Sequence, residues 1–243
     1  MKVVGIIQAR MGSTRLSGKV LLDIGGKTML QRVVERASRS TTIDQVVVAT
    51  TALDRDEPIV EACARDGVAC VRGSEDDVLD RFILAAHRFE AEIVVRITSD
   101  CPLIDPEVID EVLTQFHQKE PDYASNTMTR CWPRGLDAEA IDVVALEATG
   151  RLASESYERV HVTPYIYGHP DQFRLLPVVG PFNHGDLRWT VDVEEDLAMV
   201  RRVYNAFGDS SEFGWREVLD LLKRRPEIAD INRGIEQKAL HDC

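Results

Sequence analysis

Short Val/Ile-rich runs alternate with helical stretches through the first 120 residues, and this alternation constrains the fold more than any other feature. Residues 3–7, 45–49, 68–71 and 93–97 read as strands. Residues 27–38, 57–65, 76–90 and 105–118 read as helices, from apolar spacing and from start signals such as Asp56 with Pro58 and Asp105 with Pro106. Such spacing builds βαβ units, whose strands run parallel and whose crossovers are right-handed. The expected fold is α/β: a mostly parallel, Rossmann-like sheet flanked by helices.

The second half is less regular. Strands are expected at residues 123–127, 137–143, 173–179 (Pro177 on an edge) and 187–191. Helices are expected at 144–153, 155–168, 194–206 and 215–224, with a polar tail from Pro226. No Gly/Ser/Pro-rich linker divides the chain. One domain, 1–243, is expected, with a nucleotide-binding half to residue 120 and an acceptor-binding or oligomerisation half from 121.

The first strand runs into a loop that carries Arg10, Arg15 and Lys19, with Gly12, Ser13 and Gly18 between them. Ligands of open α/β sheets bind beyond the carboxyl ends of strands. Small residues expose backbone N–H groups that bind anions, and Arg and Lys add charge. The loop suits a polyanion, above all a triphosphate. The whole chain has a net charge of −12, so these cations are a local exception. An acidic surface repels nucleic acid, which argues against that partner. Five scattered cysteines, Cys63, Cys70, Cys101, Cys131 and Cys243, read as reduced thiols of a cytoplasmic protein. No run is long enough to span a membrane.

A triphosphate in water carries Mg2+, which takes hard oxygen ligands. Asp100 follows the strand at 93–97, and Asp192 follows the one expected at 187–191. Helix capping or a turn accounts for either alone. On one sheet rim beside the cationic loop, the pair reads as a metal site. Asp137 and Glu139 are expected on one strand face, to orient an acceptor. Trp132, Arg134 and His161 are further acceptor candidates. Cys101 reads as packing, because no histidine is visibly paired with it.

Residues 8–19, QARMGSTRLSGK, resemble the signature of cytidylyltransferases that activate sugar acids, such as the 3-deoxy-manno-octulosonate and acylneuraminate enzymes. The chain also resembles the branch named after spore coat polysaccharide biosynthesis protein F. The resemblance continues in GSEDDVLDR at 73–81, RITSDCPLIDP at 96–106, RGLD at 134–137, HVTPY at 161–165 and TVD at 190–192. It implies a nucleotide-diphospho-sugar transferase (GT-A-like) fold, CTP as donor, Mg2+ as cofactor, a small anionic acceptor and a homodimer. By the same resemblance, Arg10, Arg15 and Lys19 bind the triphosphate with the Gly12 and Ser13 amides. Backbone near Ala9, the Gly73-Ser74 loop and Asp77 read cytosine, and Asp100 and Asp192 hold Mg2+. Ser17 stands where the family usually has Pro, and Ser99 where related enzymes often have Gly. The expected reaction is attack of an acceptor oxygen on the α-phosphorus of CTP, with loss of pyrophosphate. The alternatives are a nucleotide-sugar glycosyltransferase of the same fold and a non-catalytic nucleotide-binding subunit.

Overall fold

A computed structural model describes residues 1–237. Its strands are β1 (Val3–Gln8), β2 (Asp23–Ile24), β3 (Lys27–Thr28), β4 (Gln45–Thr51), β5 (Ala69–Gly73), β6 (Ile93–Thr98), β7 (Tyr123–Ser125), β8 (Glu139–Asp142) and β9 (Leu175–Pro177). Its α-helices are α1 (Met29–Ala37), α2 (Glu57–Arg65), α3 (Val78–Arg88), α4 (Pro106–Lys119), α5 (Val143–Leu152), α6 (Ser156–His161), α7 (Pro164–Gly168), α8 (Glu194–Ala206), α9 (Trp215–Arg224) and α10 (Pro226–Ala229). Strands β2 and β3 form a small hairpin; the others make one sheet in the order β5-β4-β1-β6-β8-β7-β9.

The Val/Ile runs are explained by burial on both faces. In β1, Val3 and Ile7 join the core beneath α1, α2, α4, α8 and α9, whereas Val4 and Ile6 join the core beneath α3, α5 and α7. Pairing is parallel among β5, β4, β1 and β6. It turns antiparallel at β6–β8 and β8–β7, then parallel again at the β9 edge. The second half thus extends the sheet of the first, and Pro177 lies on the edge strand, where a missing N–H costs no ladder bond.

Three expectations need correction. Residues 187–191 are not a strand: they make one isolated bridge, between Arg188 and Arg134. Val191 N–H instead donates to the Asp100 carbonyl (2.8 Å), which lays the segment across the end of β6. Gly135 permits this passage. Its φ is +108°, and a Cβ there would lie 2.7 Å from Thr190 N. Second, Asp137 does not share a strand face with Glu139. β8 starts at Glu139, and the Ala138 N–H is taken by the Asn126 side chain (3.0 Å) rather than by a neighbouring strand. Third, residues 155–168 form two short helices, α6 and α7. They break at Val162, whose φ is +73°, because Pro164 cannot sit inside a helix. The polar tail contains α10; residues 238–243, including Cys243, lie outside the described residues. Among the described residues, no helix is long and apolar enough to cross a membrane.

Candidate active site

The loop after β1 is held from below. Asp56, fully buried, accepts a hydrogen bond from Met11 N (2.6 Å) and one from the Thr51 hydroxyl. Asp56 therefore does not cap α2 with its side chain. Met11's carbonyl in turn accepts from Ser13 N (2.8 Å) and Gly18 N (3.1 Å), and Gly18 supplies the left-handed turn (φ +67°) into Lys19. These bonds close the loop without the family's usual proline, and Ser17 itself is exposed.

Lys19 is the centre of the site. Its ammonium donates to Asp100 Oδ2 (2.9 Å), Asp192 Oδ1 (2.8 Å) and the Val191 carbonyl (2.7 Å), with the residue 9% exposed. Burial alone would lower its pKa; the carboxylates of Asp100 and Asp192 outweigh burial and hold it above its ordinary value. Burial likewise pushes the Asp100 carboxyl up, but Lys19 and hydrogen bonds from Thr98, Lys19 and Cys101 hold it below the usual range. Asp192 also pairs with Arg15 and Arg188, each at 2.9 Å. Arg188 is fixed by Asp196, which receives the Asp192 and Val193 amides. The two aspartates expected on one rim do meet, although no strand delivers Asp192.

Two cavities share this wall. One, about 350 Å³, is lined by Ala9, Arg10, Gly12, Ser13, Arg15 and Lys19, among others. The second, about 710 Å³, is lined by Arg96, Arg130, Arg134, Asp137, Glu139 and Tyr167, among others. Gln8, Arg15, Thr98, Asp100, His161 and Asp192 line both. A molecule in one cavity thus meets a molecule in the other at Asp100, Asp192 and His161.

The like charges of the larger cavity are neutralised separately. Asp137 takes a two-pronged bond from Arg130 (2.7 and 3.1 Å). Glu139, 5% exposed, pairs with Arg96 and accepts from the Tyr123 hydroxyl (2.6 Å). Arg134 differs: it has no carboxylate partner among the described residues. Burial and the neighbouring charges of Arg130 and Arg188 lower its pKa. Trp132 is buried in the core and does not line the cavity.

Three residues expected at the base do not line either cavity: Gly73, Ser74 and Asp77. Asp77 caps α3 through Asp80 N (2.9 Å) and pairs with Arg159 on α6 (3.0 Å). Glu158, near His161, closes a capping box at the start of α6. Burial and the charge of Asp100 push the Cys101 thiol well above its ordinary pKa, so it stays protonated, as packing requires. Arg130 is a cavity residue that no sequence motif points to, and Arg81 is one that enters the sequence reading only as the last residue of the motif at 73–81. Arg81 had a signal: it falls on the same helical face as the core residues Val78, Phe82 and Ala85.

A family model described as cytidylyltransferase matches residues 4–213. Spore coat polysaccharide biosynthesis protein SpsF of Bacillus subtilis is 33% identical over 234 residues, 93% of this chain and 96% of that protein. The structure of a cytidylyltransferase from Leptospira borgpetersenii superimposes with a TM-score of 0.90 at 32% identity, covering 98% of this chain and all of that one. A CMP:2-keto-3-deoxy-manno-octonic acid synthetase complexed with CTP shares the fold, with a TM-score of 0.65 at 23% identity over 85% of this chain and all of that one. With Asp100 and Asp192 converging on a cationic loop, and by these matches, the chain belongs to the cytidylyltransferase family and is a CTP-dependent nucleotidyltransferase.

Proposed function

We propose that this protein transfers CMP from CTP to a small anionic acceptor and releases pyrophosphate. The observation that carries the reading is the shared wall, where the cationic loop and the Asp100–Asp192 pair stand between two cavities. The smaller cavity takes CTP: Arg10, Arg15 and Lys19 bind its phosphates together with the amides of Gly12 and Ser13. The larger takes the acceptor. Arg134, a cation without a carboxylate partner among the described residues, binds the acceptor's anionic group, while Asp137, Glu139 and His161 orient its hydroxyls.

The donor set suits Mg2+. Asp100 Oδ2, Asp192 Oδ1 and the Val191 carbonyl already converge on one cation, the Lys19 ammonium, and all three are hard oxygens. Asp100 and Asp192 would hold the ion, which when bound neutralises phosphate charge and acidifies an attacking hydroxyl. Phosphoryl transfer needs positioning and charge neutralisation more than covalent help from the protein. Arg15 and Lys19 supply the charge, and the walls of the two cavities set the approach of acceptor oxygen to phosphorus. We further propose one catalytic domain, a homodimer and a cytoplasmic location. An acceptor built from carboxylate and hydroxyls, as in a 3-deoxy sugar acid, matches the charge pattern.

The test is pyrophosphate release from CTP and Mg2+ with a panel of sugar acids and sugar phosphates. The wild type should release pyrophosphate with at least one acceptor. Asp100→Asn should reduce turnover by roughly a thousandfold with an unchanged circular dichroism spectrum. Near wild-type turnover by that variant would remove Asp100 from the metal site. Turnover of a nucleotide sugar instead of CTP would mark a glycosyltransferase.

A further inference from the structure

The polar tail beyond α10 reaches the larger cavity. Ile231 packs against the core, and Asn232 is buried. Asn232 Nδ2 donates to Asp196 Oδ1 (2.8 Å) and to the Arg188 carbonyl (3.1 Å), which pins the segment beside the start of α8. A turn follows, closed by Ile235 N on the Asn232 carbonyl (3.1 Å), and Gln237 then lines the cavity.

Arg188 holds Gln237 there. Its Nε and Nη2 donate to Asp196, and Nη2 donates also to Asp192 Oδ2, each at 2.9 Å. Its Nη1 donates to Gln237 Oε1 (2.5 Å). The guanidinium is thus fixed by two carboxylates and presents its remaining edge to the tail. Arginine only donates, so the amide atom that it meets is the oxygen. The amide nitrogen, with two hydrogens, has no acceptor among the described residues.

Gln237 also stands near Arg134. Arg134 N donates to the Leu187 carbonyl (2.9 Å) and Trp189 N to the Arg134 carbonyl (2.7 Å), so Arg134 and Arg188 are bridge partners. Arg130 and Arg96 are neutralised by Asp137 and Glu139, whereas Arg134 has no carboxylate partner among the described residues. One end of the cavity therefore offers a cation and, beside it, a neutral donor. This combination suits an anionic group flanked by a further oxygen, such as a hydroxyl.

We infer that Gln237 is a specificity-determining residue for the acceptor, and that its amide nitrogen donates to an acceptor oxygen beside the anionic group held by Arg134. The inference rests on the reading of the larger cavity as the acceptor site. It gives the tail a function that the polar character of its sequence does not reveal: Asn232 anchors it, Arg188 orients its amide, and Gln237 touches the acceptor.

Steady-state pyrophosphate release by the full chain, with CTP, Mg2+ and a panel of sugar acids and sugar phosphates, tests this. Gln237→Glu keeps the length and an oxygen for Arg188 but puts a charged oxygen where the NH2 was. It should raise the acceptor KM at least about tenfold and leave the CTP KM within about twofold of wild type. Gln237→Met loses both contacts without adding charge, and should raise the acceptor KM by about three- to tenfold. Because Gln237 is exposed, both variants should melt within about 2 °C of wild type. An unchanged acceptor KM in either variant overturns the inference, since the contact with Arg188 would then be all that Gln237 provides. An equal rise in the KM of CTP and of the acceptor overturns it as well, because the effect would then pass through Arg188 to Asp192. A wild type that turns over no member of the panel overturns the acceptor reading itself, and the inference with it.

Discussion

The Lys19 ammonium occupies the point between Asp100 and Asp192 where the proposed metal ion would bind, and on that proposal the two compete. Three oxygens surround its ammonium at 2.7 to 2.9 Å. A divalent ion held by Asp100 and Asp192 would displace it, and the phosphates of the proposed CTP would give it a new partner. Lys19→Met leaves the carboxylates partly uncompensated; Asp192 keeps Arg15 and Arg188, but among the described residues Asp100 keeps no cation at hydrogen-bond distance. The variant should lose about 3 kcal/mol of stability. Added Mg2+ should raise its melting temperature more than that of the wild type, measured by calorimetry without nucleotide. An equal rise in both proteins would show that Lys19 does not compete for the metal position. The sequence made Lys19, Asp100 and Asp192 legible through residue type and motif. It did not reveal the contact that joins them, because the backbone of 190–192 follows the Asp100 carbonyl rather than a strand ladder.

At the scale of elements, regular periodicity was a sound guide and irregular backbone was not. Helices α2, α8 and α9 have the expected bounds. Local amphipathic spacing and proline positions suffice to define them. Residues 155–168 and 187–191 were misread because tertiary partners decide them: a left-handed Val162 between two short helices, and an Arg134 bridge made possible by Gly135. A similar non-local tie organises the turn into β4. Asp110 on α4 accepts from Thr41 N (3.1 Å), Thr41 Oγ1 (2.7 Å) and Thr42 Oγ1 (2.6 Å). Burial raises its carboxyl pKa, but hydrogen bonds from Ser40, Thr42 and Thr41 outweigh this and hold it below its ordinary 3.8. A depressed carboxylate contributes stability above its unfolded pKa and loses it as pH falls through the folded value. Asp110→Asn should therefore cost about 1 kcal/mol at neutral pH. The gap to wild type should be constant above about pH 5 and close at acid pH below the ordinary carboxylate value. Urea melts at several pH values read this directly; a gap that widens on acidification contradicts the assignment.

Across the whole molecule, the two halves share one sheet, and buried arginines dock the last third of the chain against the first. Arg36 on α1 is fully buried; it donates to the carbonyls of Ile104 (2.6 Å), Ser211 (2.9 Å) and Phe213 (3.1 Å), and pairs with Asp105 at 3.3 Å. Asp105 also receives Trp215 N at the start of α9 (2.8 Å) and caps α4 through Glu107 N (2.9 Å). One guanidinium thus joins α1, the segment after Asp100 and the approach to α9. Sequence patterning placed Arg36 within a helix and gave no sign of this, because its acceptors lie 68 to 177 positions away and most are backbone carbonyls. Arg36→Met should cost about 3–5 kcal/mol, since it leaves a buried carboxylate unpaired and three carbonyls without their donor. For a chain of this size that is on the order of 10 °C in melting temperature. Burial already raises the Asp105 pKa despite the arginine beside it. Without Arg36 it should rise further, and a raised carboxyl is relieved by protonation. The deficit of the variant should therefore shrink as pH is lowered toward 5, opposite in origin to the loss expected at Asp110. A deficit that is independent of pH would mean that the carbonyl contacts, rather than the Asp105 pair, dominate what Arg36 holds together.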